Sequence, residues 1–106
     1  MYALVILRGG VNVADDELHA PAHEEFITSL IRQNAILLGG AFVPAAADAY
    51  AAYLLRCGDL EEARTTAARD PYVVHDVLRP ECVEWRLVGI NPDAIAADAV
   101  VRPDDV

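Results

Sequence analysis

The alternation of apolar and polar positions divides the chain into strands and helices. Tyr2 to Arg8 is short, apolar and rich in β-formers, and Gly9-Gly10 ends it, which predicts a first strand. Its even positions (Tyr2, Leu4, Ile6, Arg8) and its odd ones (Ala3, Val5, Leu7) are both mostly apolar, the pattern of a central strand covered on two faces. A polar connection follows from Gly9 to Ala20, in which Asp15-Asp16-Glu17 allows a short helical turn. Pro21 then opens a helix that runs to about Asn34: proline at the first helical position forfeits no bond, and Asn34 suits a C-terminal cap. Within it Phe26, Ile27, Leu30 and Ile31 form an apolar stripe that His23 shares.

Ala35 to Val43 reads as a second strand, interrupted by Gly39-Gly40. A double glycine inside a strand marks a bulge or a close approach by another backbone or a ligand, which makes Gly39 and Gly40 candidate binding positions. After a small-residue loop from Pro44 to Ala49, a third strand covers Tyr50 to Cys57, with Tyr50, Ala52, Leu54 and Arg56 on one face. Asp59, with Glu62 three residues on, signals the start of a helix from about Leu60 to Arg69, and Asp70-Pro71 ends it. Tyr72 to Asp76 allows one further turn. Glu81 to Ile90 alternates as a fourth strand, with Val83, Trp85 and Leu87 on one face and Cys82, Glu84, Arg86 and Val88 on the other. Asn91-Pro92-Asp93 begins an extension, with a short helix expected over Ala94 to Ala99. The expected layout is one domain over residues 1–90 and an extension over 91–106.

The order β-α-β-β-α-β predicts a ferredoxin-like α+β fold: a four-stranded antiparallel sheet with both helices on one face. The opposite sheet face also needs cover. Hydrophobic residues make up 55% of the 106 positions, more than so small an interior can hold, so a homodimer is expected in which two sheets face each other and close a barrel.

The net charge of −9 excludes nucleic acid and anionic membrane surfaces as partners, because both require a basic face. The acids cluster at helix starts and loops, where the helix dipole favours them. No basic stretch and cleavage site marks a signal peptide, and no apolar run reaches about 18 residues. Cys57 and Cys82 follow no metal-ligand spacing, and free thiols in a cytoplasmic protein are the simplest account.

Several residues could carry chemistry. His23, in the first turn of its expected helix, faces the positive end of the dipole, which favours a neutral ring able to act as general base; the alternative is a core histidine satisfied by a carbonyl. His19 lies four residues before it, but Pro21 falls between them and argues against a metal-binding pair. Asp70 either orients a partner or caps the turn that begins at Pro71. Arg8, Arg56 and Arg86 occupy even strand positions; sharing a face, they would bind a carboxylate or phenolate, with Glu84 neutralising one of them, and otherwise they are strand-end charges in solvent. The tyrosines read as packing residues. His75-Asp76 is a second proton-transfer candidate, although adjacent residues on a helical turn diverge.

Three pieces together resemble the YciI-like (YCII-related) family of dimeric α+β-barrel proteins: Pro21-Ala22-His23 opening a helix, the Leu37-Leu38-Gly39-Gly40 strand, and Glu61-Glu62-Ala63 starting a helix that leads to Asp70-Pro71-Tyr72-Val73. The resemblance covers Tyr2 to about Ile90. It implies a homodimer with a cleft on the barrel side of the sheet, and a His–Asp pair at His23 and Asp70. It also implies lyase-type chemistry such as dehydrohalogenation of ring compounds. The chain departs from the family in Gly40-Ala41-Phe42, where Gly-Pro is usual, in His75-Asp76, and in the extension beyond Ile90. The expectation is a cofactor-free lyase or isomerase acting on a small cyclic or carbonyl-containing molecule, with His23 as base, Asp70 holding the ring and an arginine at the oxyanion. A non-catalytic ligand-binding or accessory protein, or a cofactor-independent monooxygenase, would use the same fold. No Gly-rich phosphate motif, metal cluster or Ser-His-Asp order points elsewhere.

Overall fold

The computed structural model describes residues 1–95. The elements are β1 (Tyr2–Gly9), a 3-10 turn (Val13–Asp15), α1 (Asp16–Arg32), β2 (Ile36–Ala46), β3 (Ala49–Arg56), α2 (Leu60–Ala67), α3 (Pro71–Val74) and β4 (Leu78–Glu84), with a second 3-10 turn at Pro92–Ala94. The four strands form one antiparallel sheet in the order β2-β3-β1-β4, the ferredoxin-like arrangement. β1 pairs on both edges, and its odd residues Ala3, Val5 and Leu7 are sealed from solvent beneath the helices. Cross-strand partners share a face, so Tyr53 and Leu55 of β3 join that core, together with Leu30, Ala63, Ala67 and Val77.

The other face carries Leu4, Ile6 and Arg8 of β1, their partners Leu54 and Ala52 on β3, and Val83 and Glu81 on β4. Nothing among the described helices covers it, and Leu38 (54% exposed), Val83 (44%) and Trp85 (47%) leave apolar area open. No described helix is long and apolar enough to cross a membrane.

Local chemistry sets the ends of the helices. α1 closes in a Schellman motif: Asn34 takes the left-handed conformation (φ 59°), its N–H donates to the Ile31 carbonyl, and the Ala35 N–H donates to Leu30. α2 starts where Asp59 accepts the Glu62 N–H at 2.8 Å while the Glu62 carboxylate accepts the Gly58 N–H at 3.0 Å.

Three sequence expectations are corrected. α1 begins at Asp16, not Pro21, and continues through the proline. A proline inside a helix forfeits one bond, but contacts from the turn after α2 hold the first segment in register: the Tyr72 hydroxyl donates to the Asp16 carbonyl at 3.2 Å, and His19 stacks on His75 with ring centroids 4.0 Å apart. β4 occupies Leu78–Glu84 rather than Glu81 to Ile90, because its only partner among the described residues, β1, runs from Gly9 opposite Leu78 to Ala3 opposite Glu84. Pro80 is tolerated there because β4 is an edge strand. β2 extends to Ala46, and a two-residue turn at Ala47-Asp48 replaces the expected longer loop. Of the short helix expected over Ala94 to Ala99, the residues from 96 lie outside the described ones.

Candidate active site

α1 and α3 cross at one end of the domain and bring together two residues 47 positions apart. His23 Nδ1 lies 2.8 Å from Oδ1 and 2.9 Å from Oδ2 of Asp70. Asp70 is fully buried. It is also the N-cap of α3, where Oδ1 accepts the Tyr72 N–H at 2.9 Å. Capping and holding the ring are therefore one arrangement: Pro71 fixes the turn, the turn fixes the carboxylate, and the carboxylate fixes the imidazole. A carboxylate on both sides of Nδ1 assigns the proton to that nitrogen. Nε2 then carries the lone pair, and it has no hydrogen-bond partner among the described residues.

His23 sits seven residues past the start of α1, so the first-turn dipole expected from the sequence does not act on it. The Tyr72 ring does. It stacks on the imidazole with centroids 4.1 Å apart and planes 14° from parallel. Burial pushes the Tyr72 phenol up from its ordinary range, and the charges of Asp16, Glu24 and Asp70 push it further. Tyr72 thus does more than the packing expected of it from the sequence, and no local pattern separates the two roles.

The dyad opens on a cleft of about 700 Å³, whose lining includes His23, Tyr72, Phe42, Tyr50, Asp16 and Glu24. A second cleft, of about 620 Å³, lies on the open face of the sheet among Leu4, Ile6, Arg8, Leu38, Gly40 and Trp85. Ala41 and Phe42 of β2 line both.

The arginines do not converge. Arg8 reaches Asp48 at 2.9 Å and Glu81 at 3.0 Å, and Arg79 binds the other oxygen of Asp48 at 3.0 Å. Those partners, the Glu81 hydrogen bond first, raise the Arg8 pKa. Arg56 pairs opposite Tyr2, at the far end of β1 from Arg8, six residues or about 20 Å along the strand. Arg86 lies beyond β4 and bonds Glu84 at 3.1 Å. Alternation predicts the face of a residue but not its place along it. Gly39 has a structural reason: a Cβ there would stand 2.7 Å from the Cβ of Tyr53, so β3 itself is the close approach. A Cβ at Gly40 would meet nothing within 4 Å, and that residue borders the second cleft. His75 stacks on His19 and makes no bond with Asp76 among the described residues. Those residues also hold no group of three or more His, Cys, Asp or Glu placed to bind a metal ion. Cys57 and Cys82 are unbonded, and burial pushes both thiols up.

Fold and site together define a small α+β protein with a ferredoxin-like sheet and a His–Asp pair at a cleft. No family model matches the chain, and neither does any curated protein. Among solved structures it is similar to 5-chloro-2-hydroxyhydroquinone dehydrochlorinase (TftG) from Burkholderia phenoliruptrix AC1100, determined in complex with 2,5-dihydroxybenzoquinone. The TM-score is 0.66 at 14% sequence identity, over 81% of this chain and 94% of that one. The likeness shows the fold: an α+β chain with a four-stranded antiparallel sheet and its helices, shared with that enzyme.

Proposed function

We propose that this chain is a cofactor-free enzyme of lyase or isomerase type, in which His23 removes a proton from a small cyclic or carbonyl-containing molecule and Asp70 orients the ring. The observation that carries the reading is the clamp on Nδ1, 2.8 and 2.9 Å from a fully buried carboxylate, which leaves the Nε2 lone pair for the cleft. The Nε2 lone pair takes the substrate proton, and the electrons of the broken bond form a new double bond. They expel a leaving group with its own pair (a lyase), or the proton returns at another atom (an isomerase). Asp70 stabilises the imidazolium formed in that step. The dehydrochlorinase of the same fold supports a ring-sized ligand and elimination chemistry.

The reading includes a homodimer. Its support is the open sheet face, where Leu38, Val83 and Trp85 lie exposed on the side opposite the helices.

The test is a mass-resolved incubation of the protein with a panel of small ring and carbonyl compounds. Turnover of one of them should fall about 10²–10⁴-fold in His23→Ala. Equal turnover by the variant would remove His23 from the chemistry. A ligand that binds but always returns with its mass and structure unchanged would make the cleft a binding site alone.

A further inference from the structure

We propose that the His23 cleft selects small planar molecules that carry no negative charge, with Asp16 and Glu24 as the discriminating residues. This rests on the preceding reading for the location of the site, but not for turnover.

Cations are scarce around the cleft. The sequence has no lysine; its eight basic residues are all arginines. Arg8 and Arg79 are held by Asp48 and Glu81, Arg64 by Glu61, and Arg86 by Glu84. Arg32 ends α1, at the opposite end from Asp16, Arg56 ends β3, Arg69 lies exposed between α2 and α3, and Arg102 lies outside the described residues. Among the described residues no arginine lines the cleft, whereas Asp16 and Glu24 do, and Asp70 lies behind His23. Neither Asp16 nor Glu24 has a cationic partner among the described residues. The helix dipole accounts for Asp16 in the first turn of α1 but not for Glu24, eight residues in.

Tyr72 lies within reach of the same charges. It is a phenol in the cleft wall, and after burial the groups that most oppose its ionisation are Asp16, Glu24 and Asp70. A ligand oxyanion beside that ring meets the same three charges. The walls supply shape: His23 and Tyr72 present near-parallel rings, and Phe42 and Tyr50 add further aromatic surface.

The field also has a consequence for the chemistry. When an uncharged substrate gives its proton to Nε2, the positive charge forms on a ring whose Nδ1 is held by Asp70, in a cleft that Asp16 and Glu24 also line. An anion leaving with its electron pair is repelled outward. Elimination of an anion from a neutral molecule leaves a neutral unsaturated product, which the field does not oppose. 2,5-Dihydroxybenzoquinone, a vinylogous acid that ionises readily, is on this account a poor ligand here.

The probes are three planar isosteres of different charge: benzamide (neutral), benzoate (anionic) and benzamidine (cationic). Each is titrated into the full chain while amide and His ring NMR shifts are followed. Exposed carboxylates act weakly one by one, so a two- to fivefold effect each, or about tenfold together, is expected at low salt. Benzamide and benzamidine should perturb His23 and Tyr72 and bind about tenfold more tightly than benzoate. The gap should shrink near 1 M salt, where the Debye length is about 3 Å. Asp16→Asn combined with Glu24→Gln should close it, with circular dichroism confirming the fold; the salt series decides the matter without the variants. Benzoate binding as tightly as benzamide, a gap indifferent to salt and to both substitutions, or no saturable shift from any probe would each overturn the proposal. These outcomes are separate from the fate of the enzymatic reading, which turns on His23→Ala: a selective cleft without turnover leaves the present inference standing.

Discussion

Asp70 can be altered in two ways that separate its tasks. Asp70→Ala removes the acceptor for the Nδ1–H of His23 and for the Tyr72 N–H, 2.8 and 2.9 Å away. A buried donor left without a partner costs about 1–3 kcal/mol. His23 is partly reached by water, so its share is small. The loss should come to about 2–4 kcal/mol, or roughly 10–25 °C in Tm for a domain of this size. Asp70→Asn keeps an oxygen for the Tyr72 N–H and places an NH₂ about where Oδ2 now stands, 2.9 Å from Nδ1. Stability should fall by only about 1 kcal/mol. The ring, however, now meets an uncharged oxygen at 2.8 Å and a donor at 2.9 Å, so the charge-assisted hold on the Nδ1–H is lost, part of the proton population moves to Nε2, and that fraction no longer offers a lone pair to the cleft. In a serine-protease triad the same error of tautomer lowers turnover about 10⁴-fold. Thermal unfolding measures the first effect and ¹⁵N shifts of the His23 ring at mildly alkaline pH measure the second. An Asp70→Asn protein that keeps its proton on Nδ1, or an Asp70→Ala protein that melts no earlier than Asp70→Asn, would refute the reasoning.

Other outcomes follow from the same contacts. The Tyr53 hydroxyl is buried without a partner among the described residues, and burial, with Asp70 adding to it, pushes that phenol far up. A raised folded pKa means that stability is intact below about pH 10 and is lost as pH rises beyond it. Tyr53→Phe should therefore gain about 1–3 kcal/mol in chemical unfolding at pH 7 and blunt alkaline unfolding; a loss at both would contradict this. Gly39→Ala should cost about 1–3 kcal/mol in denaturant titrations because its Cβ meets Tyr53, whereas Gly40→Ala, which meets nothing within 4 Å, should be close to neutral. Light scattering at micromolar concentration should report a dimer, its interface burying upward of about 2,000 Å²; a stable monomer would remove the barrel from the proposed function.

Much of this was legible locally. Two-fold alternation in Tyr2–Arg8 located the central strand, and Asn34, Asp59 and Glu62 marked helix ends by chemistry confined to a few residues. What escaped depended on distant partners. The start of α1 is set by Tyr72 and His75, more than fifty residues away, against the local signal of Pro21. The end of β4 is set by where β1 runs out. The stacking of Tyr72 on His23 has no pattern in the chain at all, since a ring that packs and a ring that positions a base are the same letter.

The sheet is not equally tied throughout. β2 pairs with β3 as far as Ala41 opposite Ala51 and resumes only at Ala46 opposite Ala49. Phe42 and Val43, 42% and 80% exposed, thus sit in a span that carries no register with β3, and Phe42 is a shared partition of both clefts. The dyad, by contrast, is anchored in the helical layer. Space in the His23 cleft can therefore be enlarged or narrowed at Phe42 without touching the ladder, the core or the Nδ1 clamp. The shape of the cleft and the stability of the fold thus rest in part on different residues, so the one can change at Phe42 while the other is kept.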